Sequence, residues 1–238
     1  MDYNQAVGLP DEPLNIEITA LVERAVAARA ELPRQYLGAS AIGHECWRQV
    51  QYDQWCKPLL PARVKMIFAR GHFFESLARE QLVAAGFAFA PVEALEFVAL
   101  DGDLRGHADG IIIAKPAMPG VYLAIPCVWE AKALNAKNFR AVARDGLVKV
   151  FPRYAVQVAV YQRFLDKLNP ALVSVVNSDT CETLHFALPY SAERAQRAID
   201  RAAVVIAANK AGELLSRFTT DPNDWRCQVC PHRTRCWR

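Results

Sequence analysis

The stretch "CVWEAKAL", residues 127–134, sets an acid, Glu130, and a base, Lys132, into an otherwise apolar run. Strand side chains alternate between faces, so Glu130 and Lys132 share one face. Cys127, Trp129, Ala131 and Ala133 take the other and read as core. Burying a charge costs several kcal/mol unless it is paired or bound. Side chains two apart on a strand stand roughly parallel, which disfavours a simple pair between these two. Asp109 precedes the apolar run "GIII" one hairpin earlier. Neighbouring strands lie about 4.8 Å apart, so Asp109 and Glu130 can converge on one cation. Two hard carboxylates suit Mg²⁺ or Mn²⁺. A lysine beside them can orient or deprotonate a water, or stabilise charge growing on a phosphate. Those are the parts of phosphodiester hydrolysis. A structural ion pair is the competing reading of the same spacing.

A second constellation sits at the C-terminus, "DWRCQVCPHRTRCWR". Cys227-x2-Cys230-x5-Cys236 is a compact set of soft ligands, and the total of seven cysteines is odd. Both facts favour metal over a disulfide framework. The fourth ligand must come from Cys46, Cys56, Cys127, Cys181 or His232. Cys127 should face the core, and Cys181 falls in a hairpin loop. Zinc and an iron–sulfur cluster both fit the spacing. Either would staple the two ends of the chain together.

The 238 residues fit one large domain, or one domain with an appendage, and 53% of them are apolar. No apolar run is long enough to cross a membrane. The N-terminus, "MDYNQAVGLPDEPLN", lacks an apolar signal segment, so a cytoplasmic, reducing compartment is expected. The net charge of +3 does not require a nucleic-acid partner. The distribution is more telling. Lys132, Lys137, Arg140, Arg144, Lys149 and Arg153 face Asp145 as their only acid between residues 131 and 153, and the last fourteen residues carry four arginines and no acid. Such patches can neutralise phosphates, although solvated surface is their commoner meaning. Trp47, Trp55, Trp225 and Trp237 lie close to the cysteines and could stack on unpaired bases. There is no G-x-x-x-x-G-K-[ST] loop, so ATP hydrolysis is not expected.

These residues must be positioned by a mixed set of elements. The patterns predict helices over 15–32 (ended by Pro33), over 40–55 (capped by Ser40 and closed by Pro58) and over 62–85 (stopped by Gly86). Strands are predicted over 94–100 and 104–113, joined by "DGD", and over 121–134, with Pro126 as a bulge or the true start. Helices over 136–145 and 152–168, strands in "ALVSVVN" and "TLHFALP", and a helix over 191–215 follow. The order gives an α/β fold with a mixed sheet flanked by helices, not a regular βαβ repeat. Three regions are expected: helices to residue 60, a core over 61–190, and a helix with a cysteine tail over 191–238.

Asp109 followed by Glu130-Ala131-Lys132 resembles the D…ExK core of the PD-(D/E)XK nuclease superfamily. Three further features resemble its RecB-like branch, with the CRISPR-associated iron–sulfur exonucleases and the AddB nuclease domain. They are "RGHFFE" with His72, "QVAVY" with Gln157 and Tyr161, and the cysteines 46, 227, 230 and 236. The similarity runs from about residue 36 to the C-terminus.

The resemblance implies a restriction-endonuclease-like core and a Mg²⁺- or Mn²⁺-dependent deoxyribonuclease, an exonuclease before an endonuclease. Asp109, Glu130 and His72 would bind the metal, the carbonyl of Ala131 would complete the shell, and Lys132 would position the attacking water. Gln157 and Tyr161, one helical turn apart, would face the site. His107 is a rival to His72, and Glu75 could orient the His72 ring or bind metal. Cys46 becomes the fourth cluster ligand, with Cys56 next, and the cluster would be [4Fe–4S], with zinc as the alternative. DNA is the implied partner, met by Lys137, Arg140, Arg144, Lys149 and Arg153. Any unwinding would require a partner; a helicase, integrase or recombinase partner, a homo-oligomer, and a role in CRISPR adaptation, phage recombination or repair all stay open. The alternative is a non-catalytic DNA-binding or assembly module.

Overall fold

A computed structural model of the protein describes residues 13–29, 34–56 and 60–238. The polar N-terminal segment to residue 12, Pro33 and Pro58 lie outside the described residues. In chain order the elements begin with α1 (Pro13–Ala27), β1 (Leu37–Gly38), α2 (Ala39–Ile42), α3 (Trp47–Trp55) and α4 (Ala62–Ala84). Strands β2 (Ala88–Phe89), β3 (Glu96–Ala99), β4 (Leu104–His107), β5 (Gly110–Ala114) and β6 (Cys127–Leu134) follow. Then come α5 (Ala136–Asp145), α6 (Leu147–Val150), α7 (Pro152–Phe164), β7 (Ala171–Asn177), β8 (Thr183–Leu188) and α8 (Ala192–Ala211). The cysteine tail holds two single-turn helices, α9 (Trp225–Gln228) and α10 (Arg233–Cys236).

Two sheets form among the described residues. One has the order β1-β4-β3, the other β2-β5-β6-β7-β8. The larger is mixed: β6 pairs parallel with β7, and its other pairs are antiparallel. The parallel pair needs a crossover, and α5, α6 and α7 supply it. Strand β6 is central and covered on both sides. Cys127, Trp129 and Ala131 pack with Phe74, Ala78 and Leu82 of α4. Val128 and Leu134 pack with Val158 and Tyr161 of α7 and with Val205 of α8. That second cluster also holds Leu37, Ile42 and Val50, so the N-terminal elements and α8 share one core with the sheet.

Three expected boundaries move, each for a local reason. The strand expected over 104–113 breaks at Ala108 and Asp109, where the chain leaves the small sheet as β4 and enters the large one as β5. Just past the bend, a Cβ at Gly110 would stand 2.7 Å from the Phe89 ring and 3.0 Å from Trp129, so the chain threads too close for a side chain. The helix expected over 40–55 splits at Gly43–Cys46. A Cβ at Gly43 would lie 2.6 Å from the carbonyl oxygen of Arg153, which fixes the turn there. Ser40 therefore sits inside α2, and the Sγ of Cys46 caps α3 by accepting from the Gln49 N–H at 3.4 Å. The third strand starts at Cys127, directly after Pro126, rather than at residue 121.

Buried polar contacts tie the far ends of the chain together. Gln51 of α3 has no exposed surface. Its amide donates to the Glu213 carbonyl at 2.5 Å and accepts from the Leu215 N–H at 2.9 Å. Replacing it leaves two backbone groups without partners. Gln51→Ala is expected to cost about 2–4 kcal/mol. Calorimetry should then show a Tm lower by roughly 5–15 °C.

Candidate active site

Asp109 enters the site from the bend between the sheets. Its Oδ2 accepts from the Ala131 N–H at 2.8 Å, which ties the bend to the middle of β6. Arg79 of α4 donates to the Asp109 carbonyl at 3.1 Å while its guanidinium lies 4.4 Å from the centre of the Phe89 ring. The backbone that carries Asp109 is thus held from both sides. Glu130 and Lys132 do share one face of β6, with Val128 and Leu134. They also pair with each other, Lys132 Nζ to Glu130 Oε1 at 2.5 Å. The sequence argument against an i, i+2 pair was wrong here, because the long lysine side chain folds back along the strand.

One cavity of about 690 Å³ gathers His72, Glu75, His107, Asp109, Glu130, Ala131, Lys132, Gln157 and Tyr161 along its wall. Glu130 is fully buried, and its Oε2 has no hydrogen-bond partner among the described residues. Gln157 Nε2 donates to the Tyr161 hydroxyl at 3.0 Å, so these two residues work as a unit. His72 stands at the rim, its side chain 83% exposed and its Nδ1 3.6 Å from Glu75. Among the described residues, no three His, Cys, Asp or Glu side chains are drawn together closely enough to hold a metal ion by themselves. Two carboxylates are nevertheless a sufficient protein contribution for Mg²⁺, which keeps waters and takes phosphate oxygens for the rest.

The electrostatics of this group are those of a site short of positive charge. Burial, then repulsion from Glu130, pushes the Asp109 carboxyl well above its usual range, against the pull of Lys132. Burial also raises Glu130, partly offset by Lys132. Burial opposes the charge on Lys132, but Glu130 and Asp109 outweigh it and raise its pKa. Burial and the charge of Glu130 raise Tyr161 as well, so its phenol keeps its proton. A divalent cation between the carboxylates would relieve all the acids at once.

Of the five basic residues expected to meet DNA, only Arg153 lines this cavity. Lys137 and Arg140 are exposed on α5, while Arg144 and Lys149 are both bound to Asp145, at 2.7 and 3.3 Å. The sequence reading missed Arg34, Tyr36, Arg105 and Tyr154, which do line it. Arg34 and Tyr36 arrive because β1 pairs with β4, a contact between residues almost seventy apart that no local pattern announces. The Tyr154 ring lies 4.9 Å from Lys132 Nζ and 5.1 Å from the Arg153 guanidinium.

A second cavity of about 490 Å³ is lined by Cys46, Cys227, Cys230 and Cys236, with His232 and Arg153 also in its wall. Cys56 does not line it, Cys127 is buried in β6, and Cys181 is exposed in the β7–β8 turn. His232 is bound to Asp53 of α3 at 2.7 Å. Burial raises Cys227 and Cys230, and the neighbouring Cys46 and Cys236 thiols add to both shifts. Trp47 and Trp237 are stacked by Arg201 and Arg217, at 4.7 and 4.6 Å.

Folded Asp109 holds its proton more tightly than the unfolded chain does. Between about pH 4, the unfolded value, and the raised folded value, stability therefore falls as pH rises. Asp109→Asn keeps an acceptor for the Ala131 N–H and removes the charge. The metal-free variant is expected to melt above the wild type near neutral pH, with the gap closing as pH falls toward about 4. Thermal denaturation across that range in chelator reads it directly.

No protein-family model matches the chain, and no curated protein matches it. Solved structures do. The crystal structure of SSO0001 superposes with a TM-score of 0.53 at 15% identity, over 92% of this chain and 96% of that one. An alkaline exonuclease from Laribacter hongkongensis superposes with a TM-score of 0.55 at 12% identity, over 76% of this chain and 90% of that one. At these identities the likeness is one of fold, and the fold is the mixed α/β, restriction-endonuclease-like one shared with that exonuclease.

Proposed function

We propose that the protein is a metal-dependent DNA nuclease of the RecB-like branch, acting at DNA ends or on single strands, and that the cavity at β6 is its active site. The observation that carries this is the buried, unpartnered Oε2 of Glu130 facing a second carboxylate of raised pKa. A fold that merely stored an ion pair would satisfy that oxygen. The likeness in fold to an alkaline exonuclease supports the same reading.

Asp109 and Glu130 would hold Mg²⁺ or Mn²⁺, with His72 at the rim and the Ala131 carbonyl as further ligands. When bound, the cation would act as a Lewis acid on the phosphate and make a water more acidic. Lys132, gripped by Glu130, places a fixed positive charge where the attacking water and the phosphate meet. Tyr161 stays protonated and offers a hydrogen bond to a phosphate oxygen, its hydroxyl oriented by Gln157. Arg153 meets the strand at the cavity wall, while Lys137, Arg140, Arg144 and Lys149 form the outer basic surface on and just after α5. The cysteine cavity has the donor chemistry for a [4Fe–4S] cluster, or zinc, bound by Cys46, Cys227, Cys230 and Cys236. Its role would be structural, holding the basic tail against α3. Duplex unwinding would need a partner such as a helicase, and an integrase or recombinase partner fits the same reading.

The test is digestion of end-labelled linear DNA with Mn²⁺ or Mg²⁺. Wild type should cut and Glu130→Gln should lose at least about a hundredfold in rate. Binding without cutting by both would make the protein a DNA-binding or assembly module instead. Equal cutting by both would place the active site elsewhere.

The cysteine site has its own readout. Purified without oxygen, the protein should be brown and carry iron and sulfide. Cys46→Ser should lose the colour and Cys56→Ser should keep it. One zinc per colourless chain would replace the cluster with zinc, and colour kept by Cys46→Ser would overturn the ligand choice.

A further inference from the structure

Helix α4 contains a glycine that nothing among the described residues explains. Gly71 lies in the helix interior, where glycine weakens a helix relative to alanine. Close packing usually justifies such a residue, yet a Cβ built on Gly71 meets nothing within 4 Å among the described residues. Gly71 does line the active-site cavity. The space it leaves open is therefore space on the wall of that cavity that the described residues do not fill.

The residues around it share one character. Ile67, Phe68, Gly71, His72 and Glu75 follow helical spacing and form one stripe of α4 along the cavity wall. The stripe changes from apolar at Ile67 and Phe68 to polar at His72 and Glu75. Phe68 is 53% exposed although it is a large apolar ring. Val98, on the facing wall, is also exposed. Arg34 and Arg105 line the same mouth, Arg105 lying 5.0 Å from the Tyr36 ring centre, with Glu96 as the acid among them. Phe68 precedes His72 by four residues, about 6 Å along the helix axis. An exposed apolar ring on the wall of the cavity that holds Asp109 and Glu130, with Arg34 and Arg105 in the same lining, suits an unpaired strand. Its bases can stack on the ring and its phosphates can meet the cations. Away from its ends a duplex keeps its base faces inside and has nothing to offer Phe68.

We infer that Phe68 and Gly71 form the platform on which an unpaired DNA strand lies as it enters the active site: Phe68 stacks on a base, and Gly71 lets the strand pass flush against α4. This rests on the nuclease reading, but it is measured by binding alone. Fluorescence anisotropy in EDTA would compare a labelled single strand with a blunt duplex of the same sequence. The proteins would be wild type, Phe68→Ser, Gly71→Ala and Phe73→Ser. Phe73, on the same helix and 63% exposed, does not line the cavity and serves as the matched control.

Wild type should prefer the single strand, and Phe68→Ser should weaken that binding roughly tenfold. Phe73→Ser should leave it unchanged. Gly71→Ala should raise the Tm by about 1–4 °C and still bind the single strand less well, a combination that a purely structural glycine would not give. Equal affinity of wild type for both DNAs, unchanged affinity in Phe68→Ser and Gly71→Ala, or an equal loss in Phe73→Ser would overturn the platform. So would a Phe68→Ser variant that changes oligomeric state and not strand affinity, which would make this face a contact between copies. If DNA is cut but the variants bind as wild type does, the nuclease reading stands without the platform. If the variants lose strand binding but no DNA is ever cut, the platform stands without the nuclease.

Discussion

A carboxylate with no exposed surface has to be neutralised, and Glu130 is that carboxylate. Much of the structure near it serves this need. Its neighbour two residues on, Lys132, folds back to meet one oxygen at 2.5 Å. The strand that carries both is buried on both faces, so the pair cannot swing into solvent. Yet the neutralisation is incomplete. The other oxygen has no partner, and Asp109 stands close enough to be raised by repulsion from it. Leaving a buried polar atom unsatisfied costs about 1–3 kcal/mol. Such a cost is compatible with a stable fold when the missing partner is a ligand, and that is the physical case for a cation here.

The two cavities share a wall, and the wall is the start of α7. Arg153 lines both. Its backbone is the surface against which Gly43 packs, three residues before Cys46. Its side chain lies by the Tyr154 ring, and the same ring lies by Lys132. The Cys46 loop is therefore linked to Lys132 through three consecutive contacts. Spatial continuity of this kind is a route for coupling, and the energy it carries is a separate quantity.

Much of the site was legible in the sequence because the chemistry is concentrated in short patterns. Gln157 and Tyr161 stand out only through the family resemblance, but an acid and a base in an apolar strand, and an acid just before an apolar run, each announce themselves within ten residues. Their convergence was legible too, since a hairpin brings Asp109 to Glu130. Three things were not. Whether Lys132 turns toward Glu130 depends on rotamers rather than on strand geometry. The split of 104–113 into two strands depends on Phe89 and Trp129 crowding Gly110, a tertiary contact. The arrival of Arg34 and Tyr36 at the cavity depends on a two-residue strand, β1, whose pairing with β4 has no local signature. Arg144 and Lys149 show the reverse error: a basic run in sequence becomes partly self-neutralised once Asp145 is seen between them.

The tail poses a different physical problem from the core. Residues 213–238 contribute no residue to the buried part of the hydrophobic clusters, and only Leu215 packs, partly buried, against one of them. They are held instead by polar contacts: Arg217 to the Cys236 carbonyl at 2.6 Å, Arg226 to Asp224 and Glu45, and His232 to Asp53. Exposed pairs of this sort contribute little individually. A segment so lightly held would fray from α3, and its three thiols would then part from Cys46. A metal bound by Cys46 and the three tail cysteines would replace many weak contacts with a few strong ones, because a structural metal site contributes its binding energy to folding. The same reasoning fits three of the four cysteines lying within ten residues of one another. The short loop needs little ordering of its own, and a metal shared with Cys46 would add a strong long-range closure to the polar contacts that already join the tail to the folded body.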